Sequence, residues 1–140
     1  MRFIKRSPLR YSVVVGIGGN VGDVRRRFNH LIFALKRFSG VDVMRTSIVL
    51  KNPPFGYIEQ DDFYNSIITL KTSMTPHCFL DFLLRLEKRF GRKRSFENAP
   101  RTLDLDIIFF DKRVIKSRRL SIPHPHWSKR ESVVIPLSYM

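Results

Sequence analysis

Several features that would assign a protein to a special class are scarce or missing in this sequence. The 140 residues include a single cysteine, Cys78, which excludes an internal disulfide and fits a reducing compartment. The basic start of the chain is followed only by a short apolar run at 13–15, which is too brief for a signal-peptide core or a membrane span. We therefore expect a cytoplasmic protein with no membrane partner.

Acidic residues are also few. The chain has 12 Asp and Glu against 26 Lys and Arg, and its formal net charge is +14. This excess favours polyanionic partners, namely nucleic acid, an anionic membrane or a phosphate-rich small molecule, and charge alone does not choose among them. The hydrophobic content of 43% and the 12 Phe predict a folded core. We expect residues 1–10 to be a poorly ordered basic lead-in and residues 11–140 to form one domain.

The order of predicted elements indicates the fold class. Apolar periodicity predicts the following elements: strand 11–17, helix 24–39, strand 41–50, strand 62–72, helix 76–90 and strand 103–110. A short segment at 114–115 is expected to pair as a hairpin, and 132–137 to be a final strand or strand remnant. The natural architecture for this order is an α+β ferredoxin-like sandwich, an antiparallel sheet with two helices on one face. Its other face would be left to a ligand and long active-site loops.

A glycine-rich segment, residues 16–23, separates the first strand from the first helix. Its spacing fails both the dinucleotide fingerprint and the P-loop pattern, because Val21 stands where the third glycine is required and no Gly-Lys-Ser/Thr follows. We therefore interpret the glycines as a tight turn, with Asp23 as the N-cap of the helix. The arginines at 25–27 fit a solvated helix face.

Two carboxylates share one face of the strand at 103–110. Asp104 and Asp106 alternate along it, so their Cα atoms lie about 6.6 Å apart at roughly 3.3 Å per residue. Carboxylates this close repel unless a cation sits beside them, which is an arginine, a lysine or a divalent metal. The residues alone favour salt-bridged or solvated aspartates over a metal site, because the chain is so rich in Lys and Arg.

Six motifs follow one another along the chain: the glycine-rich segment 16–23, Pro-Pro-Phe-Gly at 53–56, Asp-Phe-Tyr-Asn at 62–65, Gly-Arg-Lys-Arg at 91–94, Pro-Arg-Thr-Leu-Asp-Leu-Asp at 100–106 and Ile-Pro-His-Pro at 122–125. In sequence and order these motifs resemble those of the 6-hydroxymethyl-7,8-dihydropterin pyrophosphokinase family of folate biosynthesis. The aspartate-containing run followed at this distance by the Pro-His element is highly specific, whereas the glycine-rich segment alone is weak.

The resemblance implies an enzyme that transfers the β,γ-diphosphate of ATP to the hydroxymethyl oxygen of the pterin and releases AMP. By this resemblance Asp104 and Asp106 hold two Mg²⁺ ions, and Arg92, Arg101 and Asp106 serve catalysis. The residues expected to contact ATP are Glu87, Arg92, Arg94, Ile107, Arg119, Ser121, His124 and Arg130. The residues expected to contact the pterin are Asn52, Pro53, Phe55, Phe63 and Asn65. Asn65 suits the amide edge of the pterin, because a carboxamide both donates and accepts hydrogen bonds.

One departure from the family pattern concerns the pterin pocket. Many family members have an aromatic residue two positions after the arginine that matches Arg130, and this chain has Ser132 there. Either Trp127 or another ring replaces that stack, or pterin binding is weaker. An aromatic stack contributes roughly 0.5–1.5 kcal/mol beyond buried area, so its loss need not abolish activity.

Two other functions compete with the enzyme. A basic RNA-binding module of the same fold would need the aromatic RNP1 run on a central strand, and the sequence has none. An inactive binding protein would have lost one of the aspartates, Arg92 or Arg101, and all are present. We therefore expect a monomer that binds the two small-molecule substrates and no specific nucleic acid.

Overall fold

The computed structural model describes residues 9–53, 59–91, 100 and 102–140. Its elements are β1 (Tyr11–Gly19), α1 (Val24–Leu35), β2 (Val41–Thr46), β3 (Leu50–Asn52), β4 (Phe63–Thr72), α2 (Pro76–Arg89), β5 (Asp104–Phe110), β6 (Ile115–Lys116), β7 (Ser121–Ile122), a 3-10 turn (Trp127–Lys129) and α3 (Glu131–Ser138). The main sheet has the order β2-β4-β1-β5, β3 also pairs with β4, and all pairings are antiparallel. This is the ferredoxin-like α+β arrangement predicted from the sequence.

The main core lies between the sheet and the two predicted helices. Alternate residues of β1 (Val13, Val15 and Ile17) are buried against apolar stripes of α1 and α2, represented by Leu31 and Phe79. Helical stripes and strand alternation meet here because each element turns an apolar side toward this layer. The prediction of two helices on one face is confirmed.

The prediction of a final strand at 132–137 is wrong, because these residues form α3. The run of β-branched residues at 133–135 favours a strand locally, yet Val133 is buried against Ile67 and Ile108 on the face of the sheet opposite α1 and α2. Pro136 and Leu137 follow Val133 at helical spacing, so a helix keeps all three on the sheet side. Tertiary packing therefore overrides strand propensity, and the second face carries a helix that the sequence reasoning missed.

The predicted strand 41–50 is divided into β2 and β3. The break lies at Ser47, whose Oγ accepts a hydrogen bond from the backbone N–H of Ile67 at 2.7 Å and lies 3.0 Å from the hydroxyl of Ser66. A side chain thus replaces part of the backbone ladder at this point, and the chain resumes pairing with β4 at Leu50.

The other boundaries differ by a few residues. Asp23 caps α1 as predicted, with Oδ1 accepting from the N–H of Arg26, but α1 ends at Leu35 rather than at 39. Thr75 occupies the N-cap position of α2, but its side-chain oxygen accepts no capping hydrogen bond from the backbone. The predicted hairpin at 114–115 is displaced by one residue, with β6 pairing to β7. Of the helices in the described part of the chain, none combines the length and apolarity needed to cross a membrane.

Candidate active site

The open centre of the sheet is built around two glycines that face away from α1 and α2. Gly18 pairs with Asn65 on one side and with Asp104 on the other, so these residues form one row across three strands. Gly16 pairs with Ile67 and Asp106 in the next row. With strands roughly 4.8 Å apart, the outer Cα atoms of a row are about 10 Å apart. The glycines, which have no side chains, therefore leave a groove. The amide of Asn65 lies on one side of it (the amide wall), and Asp104 and Asp106 lie on the other (the carboxylate wall).

The groove has no room for a side chain at Gly18. A Cβ atom added there would lie 2.8 Å from Nδ2 of Asn65, whereas one added at Gly16 would lie 3.3 Å from Cδ1 of Ile108. The interpretation of Gly16 and Gly18 as turn residues is wrong, since both lie within β1; only Gly22, with φ of 70°, turns the chain. Glycine is required at position 18 because the side chain of Asn65 in the neighbouring strand leans over it.

Asp104 and Asp106 form the carboxylate wall, as predicted from their spacing. Both lie on the open face, because cross-strand partners point the same way and their partners are Gly18 and Gly16. Both are half-buried. In the described ranges, no group of three or more His, Cys, Asp or Glu residues could hold a metal ion. Two half-buried carboxylates on one face suit a hard cation whose remaining ligands come from a substrate or water.

The amide wall is formed where β3 meets β4. Asn52 donates through Nδ2 to Oδ1 of Asn65 at 2.9 Å, which fixes the orientation of the Asn65 amide and leaves its NH₂ group toward Gly18. Phe63 is half-buried and lies two residues before Asn65, on the same side of β4, and Pro53 is exposed just beyond β3. Four of the predicted pterin residues are therefore brought together at one end of the groove.

The outer edge of β5 carries residues predicted to contact ATP. Glu87 of α2 is buried, and its Oε2 accepts a hydrogen bond from the backbone N–H of Leu105 at 3.0 Å. The N–H of His124 donates to the carbonyl of Ile108 at 2.9 Å, which holds the Pro-His segment along the same edge. The side chain of Ile107 is buried in the main core and does not face the groove.

His124 is partly buried and close to charged groups. Burial lowers the pKa of His124 below its usual range, Arg130 and His126 lower it further, and Asp104 opposes them. Its Nδ1 atom is buried and makes no hydrogen bond to any part of the chain that the structure describes. The lowered pKa favours the neutral imidazole, whose buried Nδ1 atom has no partner among the described residues.

This lowered pKa predicts a pH dependence of stability. The unfolded chain, with His124 near its ordinary pKa of about 6.5, binds more protons than the folded chain, so folding stability is full above that pH and falls as the pH drops below it. We expect the melting temperature of the protein to fall more between pH 7.5 and 5.5 than that of His124→Gln. Thermal melts at matched ionic strength test this, and equal slopes would show that His124 does not contribute.

Two predicted ATP residues lie on the hairpin beside α2. Arg119 donates through Nη2 to Oδ1 of Asp81 at 2.5 Å, and the hydrogen bond from this guanidinium holds the pKa of Asp81 below its usual range. Ser121 is exposed on β7, and Arg130 is exposed at the N-cap of α3. Arg130 and Asp104 both lie close enough to His124 to affect its pKa, while the guanidinium of Arg119 is bound to Asp81 of α2.

Four predicted site residues fall outside the described residues. These are the pterin residue Phe55 and the phosphate-contacting residues Arg92, Arg94 and Arg101. Their roles stay predictions.

Trp127 is one of the predicted replacements for the missing aromatic stack, and this role stays a prediction. Its ring packs on Phe109, with centroids 4.9 Å apart, in the cluster beneath α3. Ser132 is half-buried in the first turn of α3.

Sequence reasoning missed one polar residue that shapes the site. Asn20 is buried at the end of β1, and its Nδ2 donates to Oε1 of Gln60 at 2.8 Å and to the carbonyl of Asp61 at 2.9 Å. These bonds tie the glycine-rich segment to the approach to β4. A polar residue within a Gly-rich run was the available signal, although it did not distinguish this role from a turn.

Comparison with known proteins gives a consistent result. A family model described as 7,8-dihydro-6-hydroxymethylpterin-pyrophosphokinase matches residues 14–140. The 2-amino-4-hydroxy-6-hydroxymethyldihydropteridine pyrophosphokinase of Helicobacter pylori is 41% identical over 138 residues, which are 97% of this chain and 85% of the relative. The protein of the same name from Campylobacter jejuni is 36% identical over 128 residues, 91% of this chain and 82% of the relative. With the family model covering most of the chain, this protein belongs to the 7,8-dihydro-6-hydroxymethylpterin-pyrophosphokinase family.

Proposed function

We propose that this enzyme transfers the β,γ-diphosphate of ATP to the hydroxymethyl oxygen of 6-hydroxymethyl-7,8-dihydropterin and releases AMP. Membership in the family makes the chain a pyrophosphokinase of folate biosynthesis with ATP as co-substrate. The observation that carries the assignment of the site is the row formed by Asn65, Gly18 and Asp104. This row places an amide that can hydrogen-bond to the edge of a flat heterocycle beside carboxylates suited to a metal-bound phosphate chain.

The donor set fits magnesium. Mg²⁺ is usually held by one or two carboxylates, with the remaining ligands from substrate phosphates and water, and Asp104 and Asp106 supply two such carboxylates on one face. We propose that they hold two Mg²⁺ ions when ATP is bound. Magnesium bound there would neutralise charge on the phosphate oxygens and favour in-line displacement at the β-phosphorus.

The chain's own residues would orient the two substrates. Asn65, held by Asn52, presents its amide NH₂ group over Gly18, where it can pair with an acceptor on the edge of the pterin. Phe63 would line the same pocket. A ring N–H of His124 can donate to a phosphate oxygen, and Arg130 adds positive charge beside it.

The remaining predicted contacts complete the proposal. We assign Arg92 and Arg101 to the transferred phosphates, where the planar guanidinium group suits bidentate recognition, and Arg94 to the same loop. Glu87 acts on the nucleotide side by fixing the backbone of β5, and Arg119 and Ser121 would approach the nucleotide from the hairpin. Arg119 would have to exchange its bond to Asp81 for one to ATP. A cytoplasmic location and a monomeric state stay predictions.

A product assay tests the function. The purified protein is incubated with ATP, magnesium and the pterin, and nucleotides are separated by chromatography. AMP formation that needs both the pterin and magnesium is expected. Formation of ADP, or AMP formation that is independent of the pterin, would refute the assignment.

Asn65→Ala should raise the pterin KM while the KM for ATP changes by less than about twofold, since only the pterin meets that amide.

A further inference from the structure

Arg27 joins three segments of the chain that are separate in sequence. It lies in the first turn of α1, and its half-buried guanidinium donates through Nη1 to the carbonyl of Val21 in the preceding turn. The same nitrogen donates to the carbonyl of Thr102, which is 75 residues away, at 2.9 Å. A surface arginine of a solvated helix face would make no such contacts, so this residue differs from its neighbours Arg25 and Arg26.

The turn is shaped to admit this side chain. Gly22 has a φ of 70°, and a Cβ atom added there would lie 3.3 Å from Nη2 of Arg27. The glycine therefore allows both the turn and the close approach of the guanidinium. A planar fork with several donors can meet two carbonyls at once, whereas the ammonium of lysine is a compact point charge.

The contact with Thr102 matters because this residue leads directly into β5. Arg27 holds the carbonyl of Thr102, and Glu87 accepts from the N–H of Leu105 at 3.0 Å. Between these two points lie Leu103, which is fully buried, and Asp104. The backbone that carries Asp104 is thus held on both sides by a charged side chain, one from α1 and one from α2.

We propose that Arg27 is a positioning residue that sets the Asp104 carboxylate for the metal-bound phosphates of ATP. This proposal rests on the proposed function, because that function assigns Asp104 to the magnesium bound by ATP. Without the guanidinium, the carbonyl of Thr102 loses its anchor and the entry of the chain into β5 can shift. A shift of a few tenths of an ångström at a metal ligand reduces affinity, as the loss of outer-shell partners of metal ligands typically does by 10- to 100-fold.

The test compares Arg27→Met with Arg26→Met. Arg26 lies on the same turn and its side chain is exposed, so its replacement removes equal charge without removing these two contacts. Calorimetric titration with α,β-methylene-ATP, at a series of magnesium concentrations, measures binding without turnover. We expect Arg27→Met to raise the magnesium concentration for half-maximal binding by roughly 10-fold or more. Arg26→Met should change it by less than about twofold, and the pterin KM should stay within about twofold in both.

A second variant separates positioning from folding. Arg27→Lys keeps the charge but supplies a single ammonium, so its magnesium concentration for half-maximal binding should lie between those of Arg27→Met and the unaltered protein. If Arg27→Met is too unstable to purify, Arg27→Lys should still need more magnesium than the unaltered protein. Equal magnesium dependence in Arg27→Lys, Arg26→Met and the unaltered protein would overturn the proposal. A lowered melting temperature of Arg27→Met or Arg27→Lys with unchanged magnesium dependence would also overturn it, since that result indicates a purely structural role. If the unaltered protein binds the analogue without any need for magnesium, the proposed function fails instead.

Discussion

Replacing Asp104 or Asp106 by alanine is expected to lower turnover roughly 10²- to 10⁴-fold while leaving the fold intact. Stabilisation of phosphoryl charge by a bound metal supplies several kcal/mol, and about 1.4 kcal/mol corresponds to a factor of ten in rate. Neither carboxylate belongs to the apolar core, so folding should survive. Steady-state rates at saturating ATP and pterin, together with circular dichroism, measure the two effects.

The matched control is Asp42→Ala, which removes an exposed carboxylate from the edge strand β2. It changes the net charge equally and should leave turnover within about twofold. If Asp104→Ala or Asp106→Ala keeps a near-normal rate at limiting magnesium, the two aspartates do not hold the metal.

Gly18→Ala is expected to raise the pterin KM by roughly 10- to 100-fold. The new methyl group would lie 2.8 Å from Nδ2 of Asn65, so the amide must move and the 2.9 Å bond from Asn52 must stretch or break. Losing two hydrogen bonds to the pterin at about 0.7–1.4 kcal/mol each gives an effect of this size, since about 1.4 kcal/mol corresponds to a factor of ten. Initial rates at varied pterin and saturating ATP measure it.

Gly16→Ala is the control for Gly18→Ala. It adds the same methyl group on the same face of β1, but the neighbour is Cδ1 of Ile108 at 3.3 Å, the flexible end of an apolar side chain. A small loss of stability and a pterin KM within about threefold are expected. Equal KM values for the two variants would show that Asn65 does not read the pterin.

The parts of this fold that depend on local periodicity could be predicted from the sequence. Alternation along β5 placed Asp104 and Asp106 on one face, and the helical stripes that contain Leu31 and Phe79 identified the core face of both helices. These patterns are properties of one element each. They do not depend on which strand lies beside which.

The features that sequence reasoning missed depend on neighbours. Gly18 can be understood only once β1 is known to lie beside β4, because the atom that excludes a side chain there belongs to Asn65 of that strand. Val133 forms a helix against its local preference because it packs on Ile67 and Ile108. Arg27 is one of three consecutive arginines, and nothing in the run distinguishes it until Thr102 is brought to it by the fold.

The groove also explains why the acids and the basic excess coexist. Asp104 and Asp106 are half-buried beside β1, whereas Arg130 and Arg26 are exposed. An anionic substrate would be attracted by the surrounding positive charge, and the carboxylates would repel its phosphates unless a cation joins the two. The proposed function therefore predicts that productive ATP binding depends on magnesium.

The destination of labelled phosphate tests the proposed reaction most directly. With ATP labelled at the γ-phosphorus, label is expected in the pterin product and not in the nucleotide product. With ATP labelled at the α-phosphorus, all label is expected in AMP. Transfer of the γ-label with formation of ADP, or release of both labels without any labelled pterin, would contradict diphosphate transfer to the hydroxymethyl oxygen.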